Sequence, residues 1–153
     1  MIVVSDTSPL CYLVLIGCEE ILPKLHQSVA TTQTVIDELR HADAPPIVRV
    51  WAERPPAWLV VHPDPTVNDP ELALLHAGER TALKLAGRLH AGIVILDELA
   101  ARTLAAKRGH KVVGLLGLLA EAADAGLINL DGLRRHGRGC TGTVSLLKII
   151  FCA

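Results

Sequence analysis

Aromatic side chains are scarce, at 3% of the 153 residues. A surface that stacks nucleobases needs exposed rings, so this scarcity argues against a stacking platform. A basic surplus is missing as well: 15 Lys and Arg face 16 Asp and Glu, a formal net charge of -1. Phosphate affinity ordinarily shows as an excess of basic residues, and a balanced chain does not hold nucleic acid broadly by charge. No apolar run reaches the roughly 18 to 20 residues that cross a bilayer. Leu15-Ile16-Gly17-Cys18 has the look of a lipoprotein cleavage box, but an export segment opens with positive charge and continues uninterrupted. Here the first basic residue is Lys24, and Asp6 and Pro9 break the apolar stretch, so a cytoplasmic protein is expected. The four cysteines, Cys11, Cys18, Cys140 and Cys152, include no C-x-x-C pair and no Cys/His spacing that suits zinc. Core thiols in a reducing compartment are the expectation, with Cys11 and Cys18 on one buried helix face. The seven histidines are scattered singly and take no ligand role.

What the chain has in quantity is aliphatic surface. Hydrophobic residues make up 50%, charged residues only 20%, and the mean hydropathy is +0.39, which excludes global disorder. A chain of this length buries about 70% of its unfolded surface, enough for one real core. Short Val/Ile/Leu runs suit parallel strands covered on both faces. Strands are expected at residues 2–5, 28–31, 57–61 (near an edge), 93–96 and 111–113. Helices alternate with them. The first is expected to be capped by Ser8 with Pro9 at its first position, running to Gly17. Others fall at 20–25, from near Thr32 with Val35, Ile36 and Leu39 as an apolar stripe, from Gly78-Glu79, at 98–108, and at 115–125 with Gly126 as the stop. The Pro-rich stretch 43–70 carries the third strand, and no helix is assigned within it. This alternation implies a parallel sheet between helices. Residues 1–128 form the expected domain. Residues 129–153 form an extension that packs on it or on a partner, with a basic segment at 134–138 and an apolar end at 146–151.

Asp6 and Asp97 each follow a strand run and precede a helix. Ligands of open parallel sheets sit beyond the carboxyl ends of the strands, so the two acids share a cleft if their strands are neighbours. Taken singly, each is explained as well by helix capping. Glu79 lies four residues before Leu83 and seven before Ala86, on the buried side of its helix, where a solvated Glu has no reason to be. Glu38 follows Val35 by three and is also near the inward edge, whereas its neighbour Asp37 reads as solvated. Four acids converging without bases repel one another unless a cation is present. Mg2+ or Mn2+ suits that demand, and such a site activates water for phosphoryl displacement.

The strings around these acids are recognisable. Ile2-Val3-Val4-Ser5-Asp6-Thr7-Ser8-Pro9-Leu10, Val35-Ile36-Asp37-Glu38-Leu39, Gly78-Glu79-Arg80-Thr81-Ala82-Leu83 and Ile95-Leu96-Asp97-Glu98, with Ala101-Arg102 after it, resemble the PIN-domain family. The branch they resemble is that of small prokaryotic PIN-like proteins related to VapC toxins, over about residues 2–128. The resemblance implies a three-layer α/β/α fold with a central, mostly parallel sheet and a metal-dependent ribonuclease site. Asp6 then matches the first acid of the family pattern, Glu38 the second, Glu79 the third and Asp97 the fourth, each catalytic and metal-holding. The third acid is commonly Asp; Glu79 departs from that majority while agreeing with this branch, and its length favours one metal ion over two. The small hydroxyl often found before the fourth acid is absent, since Ile95 and Leu96 stand there. Thr7 and Ser8 are candidate substrate contacts, although capping explains Ser8 equally. Arg102 can reach a phosphate or pair with a carboxylate, and pairing is favoured. Arg80 reads as solvated.

The expected function is therefore a Mg2+- or Mn2+-dependent endoribonuclease, the toxin of a toxin–antitoxin pair, leaving 5′-phosphate and 3′-hydroxyl ends. Its expected partners are RNA, a small antitoxin protein and a second copy of the chain. One alternative is a catalytically silent PIN-fold binding or regulatory module. Another is a haloacid-dehalogenase-like phosphotransferase with Asp6 as nucleophile, which wants a second Asp where Ser8 stands. A nearly neutral chain is compatible with meeting phosphate through metal at a single point.

Overall fold

The computed structural model describes residues 1–129; Cys140, Cys152 and the segments 134–138 and 146–151 lie outside the described residues. Five strands form one all-parallel sheet: β1 (Ile2–Ser5), β2 (Ser28–Thr32), β3 (Leu59–His62), β4 (Ile93–Ile95) and β5 (Lys111–Val113). Their order is β3-β2-β1-β4-β5, so the 57–61 run does become an edge strand. Successive side chains of a strand point to opposite faces, and the two cores divide accordingly. Val3, Val29, Ile93 and Ile95 face one side. There they meet α1 (Thr7–Leu15), α3 (Gln33–Arg40), α4 (Pro46–Glu53) and α7 (Leu115–Asp124) through Leu10, Ile36, Val48 and Leu118. Val4, Ala30, Val94 and Leu96 face the other side, covered by α5 (Ala77–Arg88) and α6 (Leu99–Lys107). The result is a three-layer α/β/α fold. Each large aliphatic side chain taken fully out of water contributes about 1.5–3 kcal/mol, which is why both faces of the sheet must be covered. No helix among the described residues is long and apolar enough to cross a membrane.

Three local expectations are corrected. The N-cap of α1 is Asp6, not Ser8; Ser8 is exposed in the first turn and Pro9 is the third helical residue. Pro is still tolerated there, because the first four N–H groups of a helix have no intrahelical partner. The helix closes before Gly17, which takes φ +67, with Gly17 N bonded to Val14 O and Cys18 N to Leu13 O. Only a residue without Cβ adopts that φ freely. Cys18 is thus buried beyond α1 and shares no helix face with the half-buried Cys11. Burial raises the Cys11 thiol above its ordinary value. The third correction is α4, a helix inside the proline-rich stretch. Pro46 opens it, Val48 and Ala52 face the core, and Arg40 Nε donates to Ala52 O at 2.9 Å, tying α4 to α3. Prolines read as loop punctuation, yet the first helical position accepts them without loss. The short helix expected at 20–25 is α2 (Ile21–Leu25).

The chain order places a crevice. From β1 it moves outward through β2 to β3, then returns to pair β4 on the opposite side of β1. Such a reversal opens a gap at the carboxyl ends of the two strands. Asp6 leaves β1 at this point, its N–H donating to Ile95 O of β4 at 3.2 Å.

This two-faced packing makes a stability contrast. Ile36→Ala, at a fully buried site, is expected to lower the unfolding free energy by about 2–5 kcal/mol in urea titrations. Val50→Ala, on the exposed face of α4 at 67% exposure, should change it by less than about 0.5 kcal/mol. Equal losses at both positions would contradict the assignment of faces.

Candidate functional site

Asp6 sits in the N-cap position with extended backbone (φ −87, ψ 177), but its side chain makes no capping hydrogen bond. The residue is 3% exposed, and Oδ1 is buried with no hydrogen-bond partner. Capping therefore does not account for this carboxylate. Its pKa is pushed up to about 7. Burial is the largest cause, the Thr7 N–H opposes it, and the charges of Glu79 and Glu38 raise it further.

Glu38 and Glu79 are brought to Asp6 by α3 and α5. Gly78 N–H donates to Glu38 Oε1 at 2.9 Å, and the Thr7 hydroxyl donates to Glu38 Oε2. Glu79 is 6% exposed and its Oε2 accepts from His76 N–H at 3.1 Å. Its helix-capping role is thus present alongside its effect on Asp6. Two features here escaped the sequence reading. The first is Gly78, where an added Cβ would fall 2.6 Å from Thr7 Oγ1, 2.9 Å from Asp6 Oδ1 and closer still to Glu38 Oε2. A glycine in the first turn costs about 1 kcal/mol relative to Ala, and that cost was the available signal. The second is a buried hydroxyl pair. Thr32 Oγ1 accepts from Val35 N–H at 3.4 Å and lies 2.8 Å from Thr81 Oγ1. Thr81 Oγ1 donates to Gly78 O at 3.1 Å. Each hydroxyl has one proton, so Thr32 donates to Thr81. The chain of bonds runs from the start of α3 to the first turn of α5 and returns from Gly78 to Glu38.

Asp97 follows β4, the strand beside β1, but its side chain turns elsewhere. Oδ1 accepts from Leu115 N–H at 2.8 Å and so caps α7, whose own N-cap is Gly114. Burial raises the Asp97 carboxyl; the Leu115 N–H and the charge of Arg102 hold it back. Arg102 stands beside it over Gly114, where an added Cβ would meet Arg102 Nη1 at 2.7 Å and Asp97 Oδ1 at 3.2 Å. The structure thus gathers Asp6, Glu38, Glu79 and Thr7 around Gly78, and holds Asp97 with Arg102 at the neighbouring strand end. Asp37 is exposed and bonds Gln33.

An unpartnered buried carboxylate oxygen facing two further acids is a donor set that fits a hard divalent cation. Among the described residues no three His, Cys, Asp or Glu side chains already close on one point, because Glu38 and Glu79 lean on backbone N–H groups. Mg2+ commonly takes one or two carboxylates and keeps several waters, so a closed cage is not required.

The family model described as "PIN domain" matches residues 2–146. The chain belongs to the PIN-domain family. No curated protein matches it. Among solved structures it is similar to a PilT N-terminus domain protein from the hyperthermophilic archaeon Sulfolobus solfataricus P2, with a TM-score of 0.55 and 14% identity, covering 80% of this chain and 93% of that one. At that identity the likeness concerns the fold. PIN domains are generally metal-dependent nucleases, and this one has the nuclease-type fold.

The buried acid sets the pH behaviour of the metal-free PIN domain. Its carboxyl holds its proton better folded than at its ordinary 3.8. The stability it contributes is therefore fully present below about pH 4 and lost as pH rises through about 7. In EDTA, Asp6→Asn should match wild type near pH 4 and exceed it at pH 8 by up to about 4 kcal/mol in urea titrations, with added Mn2+ narrowing the gap. A wild type as stable as the variant at pH 8 in EDTA would show that the acid is not strained. Gly78→Ala is a second check: favourable by about 1 kcal/mol at an ordinary helical site, it is expected here to destabilise the fold.

Proposed function

We propose that this PIN domain is a Mg2+- or Mn2+-dependent endoribonuclease and the toxin of a toxin–antitoxin pair. The observation that carries the nuclease reading is Asp6, buried with an orphaned Oδ1 and facing Glu38 and Glu79 at the strand crevice. A divalent ion would be held by Asp6, Glu38 and Glu79 with Asp97 as the fourth ligand, and would supply water activation and charge neutralisation at a phosphodiester. The Thr7 hydroxyl and Gly78 N–H fix the Glu38 carboxylate. Asp97 stands at the adjacent strand end as the fourth acid, with Arg102 beside it to take a phosphate oxygen. The toxin assignment rests on the resemblance to the VapC-related branch, and with it come a small antitoxin protein, a homodimer and a cytoplasmic setting.

The purified protein is expected to cut single-stranded RNA with Mn2+, leaving 5′-phosphate ends, and Asp6→Asn should lower the rate by roughly a hundred-fold or more. Undiminished cleavage by that variant would assign the activity to a contaminant and sink the proposal. Expression should arrest growth of a host cell, and the Asp6→Asn chain should not. A second reading, a catalytically silent module, is favoured by one feature: Glu79 and Asp97 both serve as helix caps. Calorimetry separates the two, because a silent module binds Mn2+ no more tightly than its Asp97→Ala variant.

A further inference from the structure

The outer face of α5 carries Arg80, Lys84 and Arg88 at four-residue intervals, a spacing that lines them up along one side of a helix. Among the described residues, none of these three side chains makes a hydrogen bond or an ion pair. Like charges at this spacing repel. Among the described residues no acid is set against them: Asp69 and Glu71, on the segment before α5, are held by Arg108 and Lys107. The ridge starts at the acid cleft, where Arg80 follows Glu79. Arg88 lies about 12 Å farther along the helix axis. There it opens into a groove of about 350 Å³ between α5 and the corner joining α6 to β5, lined by Leu83, Lys84, Gly87, Arg88, Arg108 and His110. Its floor is bare at Gly87, where an added Cβ would meet nothing within 4 Å.

We propose that this ridge and groove bind the phosphodiester backbone of single-stranded RNA and lead it to the acid cleft, an inference that rests on the nuclease reading. Three unpaired cations of one sign in a row, beginning beside the reacting centre, fit a polyanion that continues past the cleaved bond. Backbone rather than base is the main ligand, since four of the groove's six lining residues are basic or His and none is Phe, Tyr or Trp.

The test measures binding in EDTA, where no cleavage occurs, by anisotropy of a labelled single-stranded RNA of about twelve nucleotides with the full chain. Replacing both cations (Lys84→Gln with Arg88→Gln) should weaken binding roughly ten-fold at low salt and reduce the log–log salt slope by about 1.4. Gly87→Glu should act in the same direction by placing a negative charge in open space. Adenosine monophosphate should not displace the RNA at equal concentration. RNA affinity unchanged in both groove variants would overturn the track. So would displacement by the mononucleotide at equal concentration, which marks a pocket for one phosphate. Loss of poly-glutamate binding with RNA binding intact would overturn it too, in favour of an acidic protein partner. Groove-dependent RNA binding without any Mn2+-dependent cleavage supports the track and defeats the nuclease reading alone.

Discussion

A buried carboxylate with one oxygen that no hydrogen-bond donor satisfies organises this molecule. Asp6 sits at the end of the central strand with an orphaned oxygen and two further acids acting on it. Water would relieve such a group at once, so the surroundings must hold it in place. They do so through an aliphatic sheet: Val3 and Val4 are fully buried on opposite faces of β1, and the Asp6 N–H is fixed to β4. An edge strand would let the end of the chain move away from the repulsion. The central place of β1 is what allows the strain to persist.

The neighbouring acids show how that strain is contained. Glu38 and Glu79 raise the Asp6 carboxyl by their charges, and each is at the same time steadied by an N–H group, of Gly78 and His76 respectively. Gly78 keeps the space among three side-chain oxygens open by having no Cβ, and Thr32 and Thr81 tie the two helices that bring the glutamates in. The same N–H groups that keep the acids apart in the metal-free state also keep them near enough to respond to a cation. A site assembled this way favours stability without metal and chemistry with it, and the two demands pull on the same few atoms.

How much of this was legible in the sequence depended on the range of the signal. The strand runs of β1 and β4, the stripe of α3 and the stop at Gly126 are local patterns of hydrophobicity and turn chemistry, and each appears where it was expected. The family strings around Asp6, Glu38, Glu79 and Asp97 marked the acids, but not how each carboxylate is aimed. Asp97 turns to α7 because Gly114 offers that helix no side-chain cap, a contact eighteen residues away in sequence. The role of Gly78 and the Thr32–Thr81 bond depend on α3 meeting α5, which no periodicity reports. The helix α4 was missed for a different reason: prolines carry two opposite meanings, and only the buried Val48 and Ala52 decide between them.

Net charge is a sum, and the sum hid the arrangement. A total of -1 excludes a chain that attracts nucleic acid from every side, but it says nothing of where the charges stand. Here acids face inward at the crevice, while Arg80, Lys84 and Arg88 lie unpaired on the outside of the helix that delivers Glu79. Screening confines each group's influence to about 10 Å at ordinary salt, so Arg88 at the far end of the ridge acts almost separately from the acids. A polyanion approaching the acid cleft alone would be repelled; one that meets the basic face of α5 first is held while its backbone nears the acids. Opposite charges on the inner and outer sides of one helix thus give a neutral protein a direction of approach.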